Sequence, residues 1–175
     1  DALKTIYYDW LSYEVLNQNP NWVFIPYGTG DLFNNIISTN GKEMDKKVAS
    51  KRFFGNKKIL SECNFMGAAN NRKSSKMKML YSAFQNKQID GTDREIENAM
   101  KKKHCGDSSE ISIVKEKYLE SAMEIADYFN LNYEASAISG LGLFLQLSFN
   151  NKIKIKDDDK IIFINTGKCK ILNDE

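Results

Sequence analysis

The sequence predicts an α/β fold: an open, mostly parallel sheet in a three-layer αβα arrangement. Three observations predict it. Trp22-Val23-Phe24-Ile25 is an unbroken apolar run, as a strand buried on both faces requires. Apolar residues at helical spacing stand before and after it, and a glycine turn, Gly28-Thr29-Gly30, leads into the second helical stretch. A second unbroken run, Lys160-Ile161-Ile162-Phe163-Ile164-Asn165, lies far along the chain with further helical patterns between. Strands separated by helices call for parallel crossover connections.

Taken in order, Leu3, Ile6, Tyr7, Trp10, Leu11 and Val15 recur at three- and four-residue steps, which predicts a helix over 2–17 with these side chains on the core. Pro20 stops it, and the strand at Trp22 follows. After the turn, Leu32, Phe33, Ile36 and Ile37 predict a helix closed by Asn40-Gly41. Lys57 to Cys63 reads as the next strand, so that 22–63 forms a βαβ unit. Residues 64–103 are polar and rich in Lys, Asn and Ser; a loop is expected there, with helical patches at Met77 to Phe84 and Asp93 to Met100, and 64–110 is treated as a variable insert. Ile111 to Val114 leads into a helix with Tyr118, Leu119, Ala122, Ile125, Ala126 and Phe129 on one face, and a further helix is expected from Ser136 to Phe149. The last strand ends at Thr166-Gly167.

At 175 residues the chain is long enough for one ordinary domain, and residues 1–175 are read as a single α/β domain. Hydrophobic residues at 42% and charged residues at 27% exclude disordered and fibrous classes. Twenty-five basic against 23 acidic residues produce no field that would draw in nucleic acid. No apolar run reaches the ~18 residues of a membrane span, and the start has no signal-peptide pattern. Three widely spaced cysteines argue against a disulfide framework, so a cytoplasmic location is expected. The chain starts at Asp1 without Met, directly in a helical pattern, which leads us to expect a piece cut from a larger protein.

Three places could carry chemistry. A glycine turn between an inner strand and a helix lets backbone amides approach an anion, and the helix dipole favours the negative charge. Gly28 and Gly30 would supply conformational freedom, Thr29 a hydroxyl donor, and Asp31 and Leu32 the opening amides, unless Asp31 caps the helix. The same turn can equally be a plain βα connection. It is a poor dinucleotide fingerprint, since Phe33 stands where the third glycine would fall, and no Gly-Lys-Ser/Thr follows to make a P-loop. Second, Thr166 lies at the carboxyl end of the last strand, where ligands of parallel sheets sit and a hydroxyl can meet a ring nitrogen; a strand end turning into solvent is the alternative. Third, Glu134-Ala135-Ser136-Ala137 precedes a glycine-containing helix, with Ser136 or Glu134 as its cap and Glu134 able to face a ligand.

In this order the segments resemble the C-terminal half of the fold-type II pyridoxal-phosphate enzymes: threonine synthase, tryptophan synthase β, cysteine synthase and the serine/threonine dehydratases. Trp22 to Phe33 looks like the family's strand and glycine loop that holds the cofactor phosphate, and Lys4-Thr5-Ile6 with Glu14 like the helix before it. Ile111 through Leu145 is similar to the family's strand, helix, Glu-x-Ser/Ala-Ala segment and Gly-containing helix. Thr166-Gly167-Lys168-Cys169-Lys170 resembles the Ser/Thr-Gly-x-Gly-x-Lys segment whose hydroxyl hydrogen-bonds the pyridine nitrogen. The chain departs from the pattern at Cys169, where many members have Gly, and at Asn34-Asn35, where small residues are common.

The resemblance implies a Rossmann-like architecture and pyridoxal 5'-phosphate as cofactor, held by Gly28, Thr29, Gly30, Asp31, Leu32, Glu134 and Thr166. It implies no catalytic residue here, because the Schiff-base lysine belongs to the family's N-terminal half, which would be the partner; a homodimer is also expected. Threonine followed by glycine at 166 is closer to threonine synthase than to the cysteine synthases. The implied reaction is therefore conversion of a small phosphorylated amino acid, O-phosphohomoserine, to threonine by β,γ-elimination and replacement. Cysteine synthase or serine/threonine dehydratase chemistry is the alternative within the family, and a non-catalytic module binding a phosphorylated ligand or a protein is the alternative outside it.

His104-Cys105 falls short of a four-ligand metal site and reads as surface loop. Lys101-Lys102-Lys103, with acidic neighbours at Asp93, Glu95 and Glu97, reads as a solvated face.

Overall fold

A computed structural model describes residues 2–54, 63–81, 95, 97–98 and 109–167. Helix α1 (Ala2–Leu16) leads into strand β1 (Trp22–Tyr27), and the glycine turn then opens helix α2 (Asp31–Phe54). Strand β2 (Asn64–Ala69) is followed by a short 3₁₀ turn (Lys78–Leu80) and strand β3 (Ser109–Ile113). Helices α3 (Glu116–Tyr128) and α4 (Ser139–Phe149) precede the short last strand β4 (Ile161–Phe163). The four strands form one sheet in the order β3-β2-β1-β4, with every pairing parallel. The expected α/β class and the mostly parallel sheet are both present.

Alternation along β1 sorts its side chains into two layers. Val23, Ile25 and Tyr27 meet Val15, Leu16, Phe33 and Ile36 of α1 and α2 on one face. Phe24 points to the other face, where Leu119 of α3 and Leu143 and Leu147 of α4 pack with Met66 and Ala68 of β2. Both faces of the inner strands are thus covered by helices, the three-layer arrangement, and this explains the continuous apolar run at Trp22 to Ile25. The α1–α2 contact is polar at its centre: the fully buried Ser12 hydroxyl donates to Asn35 Oδ1, and Asn35 Nδ2 donates to Asp9 Oδ1 at 2.8 Å. Asn35, a departure from the small residues of the resembled pattern, is here the bridge between the two helices.

Several expectations are corrected. The second strand was expected at Lys57 to Cys63; the strand beside β1 is Asn64–Ala69, Cys63 only precedes it, and 57–62 lie outside the described residues. Asn-Phe-Met-Gly-Ala-Ala has little of the β-branched signal that marks strands. Its strand state comes from pairing on both edges, and Gly67 leaves the room that Ile111 and Phe33 occupy, with Ile111 Cγ1 only 3.0 Å from where a Cβ would stand. Trp10 was expected on the core face of α1 but is 71% exposed, and Leu11, Ser12, Val15 and Leu16 face inward instead. The last strand carries a strong buried-strand pattern yet forms a three-residue sheet edge with Phe163 exposed. Of the helical patches expected in 64–103, Lys78–Leu80 forms a 3₁₀ turn flanked by non-helical Met77 and Tyr81, and Glu95, Glu97 and Asn98 are helical; 82–84, the other residues of 93–100, and Lys101 to Cys105 lie outside the described residues.

Asn40-Gly41 does not end α2, which continues to Phe54. Gly41 is exposed, and a Cβ placed there would meet nothing within 4 Å. Glycine inside a helix costs backbone entropy with no packing return here, so Gly41→Ala is expected to stabilise the chain by roughly 0.5–1 kcal/mol. A urea midpoint that falls, with an unchanged slope, would contradict this.

Cys63 is buried and free, and burial pushes its thiol up to about 12, so it is a neutral core group at ordinary pH. No described helix is long and apolar enough to cross a membrane.

Candidate functional site

The strand order marks where a crevice opens at the carboxyl ends of the sheet. From β1 the chain winds to β2 and then β3 on one side, whereas β4 is laid on β1's opposite edge. Connections that leave neighbouring strands in opposite directions open a crevice at their carboxyl ends, and here that switch lies between β1 and β4. The two strands run in register from Trp22 opposite Ile161 to Phe24 opposite Phe163. One further bond, from the Ile164 amide to the Phe24 carbonyl at 3.0 Å, ends the ladder. Pro26, two residues on from Phe24, turns its backbone toward the same side but has no N–H to offer. A proline is tolerated within this central strand because the β4 ladder has already stopped.

At that place lies a cavity of roughly 310 Å³, near the lower end of the ~300–1,000 Å³ common for small-ligand sites. Gly28, Thr29, Gly30, Asp31, Leu32, Glu134 and Thr166 all line it, so the structure brings together the seven residues that the resemblance gave as cofactor-binding. Tyr8, Pro26, Met79, Leu80 and Ser136 complete the lining. Five segments far apart in number therefore share one small space.

The glycine loop owes its shape to one of its two glycines. Gly30 has φ +88°, a conformation side chains rarely adopt, whereas Gly28 is not in the left-handed region. The expectation that both supply conformational freedom holds for Gly30 alone. The Asn34 amide reaches back to the Gly30 carbonyl at 2.9 Å and is the first rung of the α2 ladder seen from the loop. The amides ahead of it, of Asp31, Leu32 and Phe33, have no intrahelical carbonyl to bond and carry the positive end of the helix dipole. Amides so placed are the donors an anion would use, and the Asp31 amide already donates to Thr29 Oγ1 at 3.5 Å.

Two details modify the expected roles. The Thr29 hydroxyl donates to Asp31 Oδ2 at 3.0 Å, and Thr29 Oγ1 stands 3.5 Å from the Asp31 amide, so this hydroxyl faces the aspartate. Asp31 is the first residue inside α2 and does not occupy the cap position. Its exposed carboxylate is stabilised by the helix dipole and competes for the same field that would hold an external anion.

Across the cavity, Thr166 is exposed and its turn is held by Asn165. Asn165 Oδ1 accepts the Gly167 amide at 2.9 Å, while Asn165 Nδ2 donates to the Asn132 carbonyl at 3.0 Å. One side chain thus ties the turn bearing Thr166 to the segment bearing Glu134. Neither Ser136 nor Glu134 caps α4: the residue before the helix is Ile138, with no side-chain cap bond, and the buried Ser136 Oγ instead accepts the Met79 amide at 3.2 Å. Sequence reasoning missed Met79 and Leu80, which lie in the segment read as a variable insert. The one local signal was a pair of buried apolar residues, Met77 and Leu80, at three-residue spacing within a polar stretch. Lys168, Cys169 and Lys170 lie outside the described residues.

Fold and cavity together define a parallel α/β sheet protein with a cavity at its switch point. Among solved structures, a fungal L-serine ammonia-lyase from Rhizomucor miehei matches 95% of this chain and 51% of its own, with a TM-score of 0.56 and 14% identity. The present chain spans about half the length of that neighbour, and at this identity the likeness is one of fold. No family model matches the sequence, and no curated protein matches it.

Proposed function

We propose that this chain is the cofactor-phosphate-binding half of a pyridoxal-phosphate-dependent lyase, completed by a second half that brings the lysine to which the cofactor attaches. The observation that carries the reading is the meeting of the β1 glycine loop, Glu134 and Thr166 around one cavity at the β1–β4 switch point. The residues suit the cofactor chemically. A phosphate ester matches the amides of Leu32 and Phe33 at the start of α2, and the Thr166 hydroxyl matches a ring nitrogen. Asp31 is the discordant member, a carboxylate beside a dianion. The fold likeness to a serine ammonia-lyase supports the lyase class, and the match spans about half of that protein's length.

When bound, pyridoxal phosphate supplies an electron sink for bond cleavage at an amino-acid carbon. This chain's residues bind and orient. The α2 amides anchor the phosphate end, Leu80 and Met79 form an apolar wall, and a neutral hydroxyl at Thr166 leaves the ring nitrogen free of an obligatory proton. That electronic setting suits elimination and replacement. Thr166 followed by Gly167 favours threonine synthase-like use of O-phosphohomoserine. The neighbour's name favours a second reading, ammonia elimination from serine or threonine. In either case the chain alone turns over nothing, and adding the separately produced other half is expected to restore cofactor absorbance and activity.

The binding roles are tested by titrating the 175-residue chain with pyridoxal phosphate and with inorganic phosphate. Thr166→Val, which keeps the shape and removes the hydroxyl, is expected to weaken pyridoxal phosphate by about threefold to tenfold, the worth of one hydrogen bond, and to leave inorganic phosphate unchanged. Asp31→Asn is expected to strengthen both, by about threefold to tenfold at low salt, because one negative charge leaves the dipole's field. Equal loss of both ligands in Thr166→Val, or no gain in Asp31→Asn, counts against the assignment.

A further inference from the structure

Between β2 and the 3₁₀ turn, residues 70–80 form a strap over the carboxyl edge of the sheet, and side chains hold it. Asn70, only 3% exposed, donates through Nδ2 to the carbonyls of Arg72 at 3.0 Å and Met77 at 2.9 Å, and its Oδ1 accepts the Arg72 amide at 2.9 Å. The outer limb hangs on Glu116, the first residue of α3. The Ser75 hydroxyl donates to Glu116 Oε2 at 2.7 Å, and the Lys76 amide donates to Oε1 at 2.9 Å. Ser75 Oγ also accepts the Met77 amide at 3.1 Å, and Met77 is fully buried in the second core cluster.

From Met77 the strap passes directly into the cavity wall. Met79 donates its amide to Ser136, and both the Met79 carbonyl oxygen and Leu80 Cδ2 stand 3.7 Å from where a Cβ on Gly28 would be. The wall thus faces the glycine loop across a gap that one methyl at position 28 would close, whereas Glu116 is not among the residues lining the cavity.

We propose that Glu116 is a positioning residue for this cavity: by gripping Ser75 and the Lys76 amide it sets the strap, and the strap sets the gap between Met79-Leu80 and the Gly28–Leu32 loop. The inference rests on reading that loop as an anion site. A connection outside helices and ladders loses its anchor easily, since ordering its backbone is opposed by conformational entropy. Hydrogen bonds to a carboxylate are about twice as strong as neutral ones, and Glu116 supplies two at one point. The neighbouring Lys76–Glu120 pair, at 2.8 Å with both side chains 50% exposed, is a screened surface contact and a poor anchor.

The test compares Glu116→Ala, Glu116→Gln and Glu120→Ala in the 175-residue chain, reading amide exchange at Met77 and Met79 and affinity for inorganic phosphate. Glu116→Ala is expected to speed exchange at both amides and to weaken phosphate, each by about tenfold, the loss of a charged hydrogen-bond pair. Glu116→Gln keeps one acceptor and is expected to stay within about threefold of wild type on both, and Glu120→Ala to change neither. Wild-type exchange and affinity in Glu116→Ala would overturn the positioning role and leave the anion reading intact. A wild-type chain that binds no phosphate would overturn the anion reading and the strap's role with it. Should the alanine variant fail to fold, Glu116→Asp, too short to reach both donors, is read in the same way.

Discussion

Gly30→Ala is expected to destabilise the chain by about 2–5 kcal/mol and to remove anion binding at the loop, combining about 1–2 kcal/mol of backbone strain with about 1–3 kcal/mol of overpacking. The strain arises because Gly30 sits at φ +88°. The overpacking arises because its Cβ would fall 2.9 Å from the Tyr27 hydroxyl, 3.0 Å from Cζ and 3.1 Å from Cε2. Tyr27 cannot swing aside: it is 1% exposed and packs edge-on against Phe33, with ring centroids 5.5 Å apart. The loop must then shift, and the amides of Asp31 and Leu32 shift with it. Urea unfolding measures the first effect and phosphate titration the second. In a Tyr27→Phe background the same substitution is expected to cost less, because the closest atom is gone, while the φ strain remains. A Gly30→Ala chain of wild-type stability would mean that the turn has another conformation.

Gly140→Ala carries the second large effect, an expected net loss of about 1–3 kcal/mol from a change that in an open helix would gain about 1 kcal/mol. Helix α4 crosses β1 so closely that the new methyl would lie 2.8 Å from the Phe24 carbonyl oxygen and 3.0 Å from its carbon. Both are backbone atoms of an inner strand paired on each side, so the helix must move. Its movement would also disturb the edge contact between Phe24 and Phe144, whose centroids are 5.5 Å apart. Gly142→Ala, facing Leu119 Cα and Val114 Cγ1 at 3.3 Å, is expected to cost less. The predicted stability order is Gly41→Ala, wild type, Gly142→Ala, Gly140→Ala. Denaturant midpoints measured together decide it, and near-ultraviolet circular dichroism should change in Gly140→Ala alone.

Much of the site was legible in the sequence because its parts are local signals. An apolar run ending in Pro26-Tyr27-Gly28 marks the end of a buried strand, and Gly30 before Leu32-Phe33 marks a turn into a helix. Thr166 stood at the end of another such run. Other parts were hidden for definite reasons. Asn64–Ala69 is a strand by virtue of its neighbours and not by its own residues. Met79 and Leu80 reach the cavity only because Asn70, Glu116 and Ser136 bend a polar segment toward it. Ser136 carries the signature of a helix cap, yet its oxygen is taken by an amide 57 positions earlier in the chain.

The sequence by itself determined the class of fold, the existence of β1 and β4, and the helix after the glycine turn, because hydrophobic period and backbone freedom act over a few residues. Only the tertiary structure decided that β4 lies beside β1, so that the two turns face one cavity, and that the segment after β2 supplies its wall. Strand order is a choice among non-local pairings whose energies depend on which faces can be buried together, and no short stretch of residues records that choice.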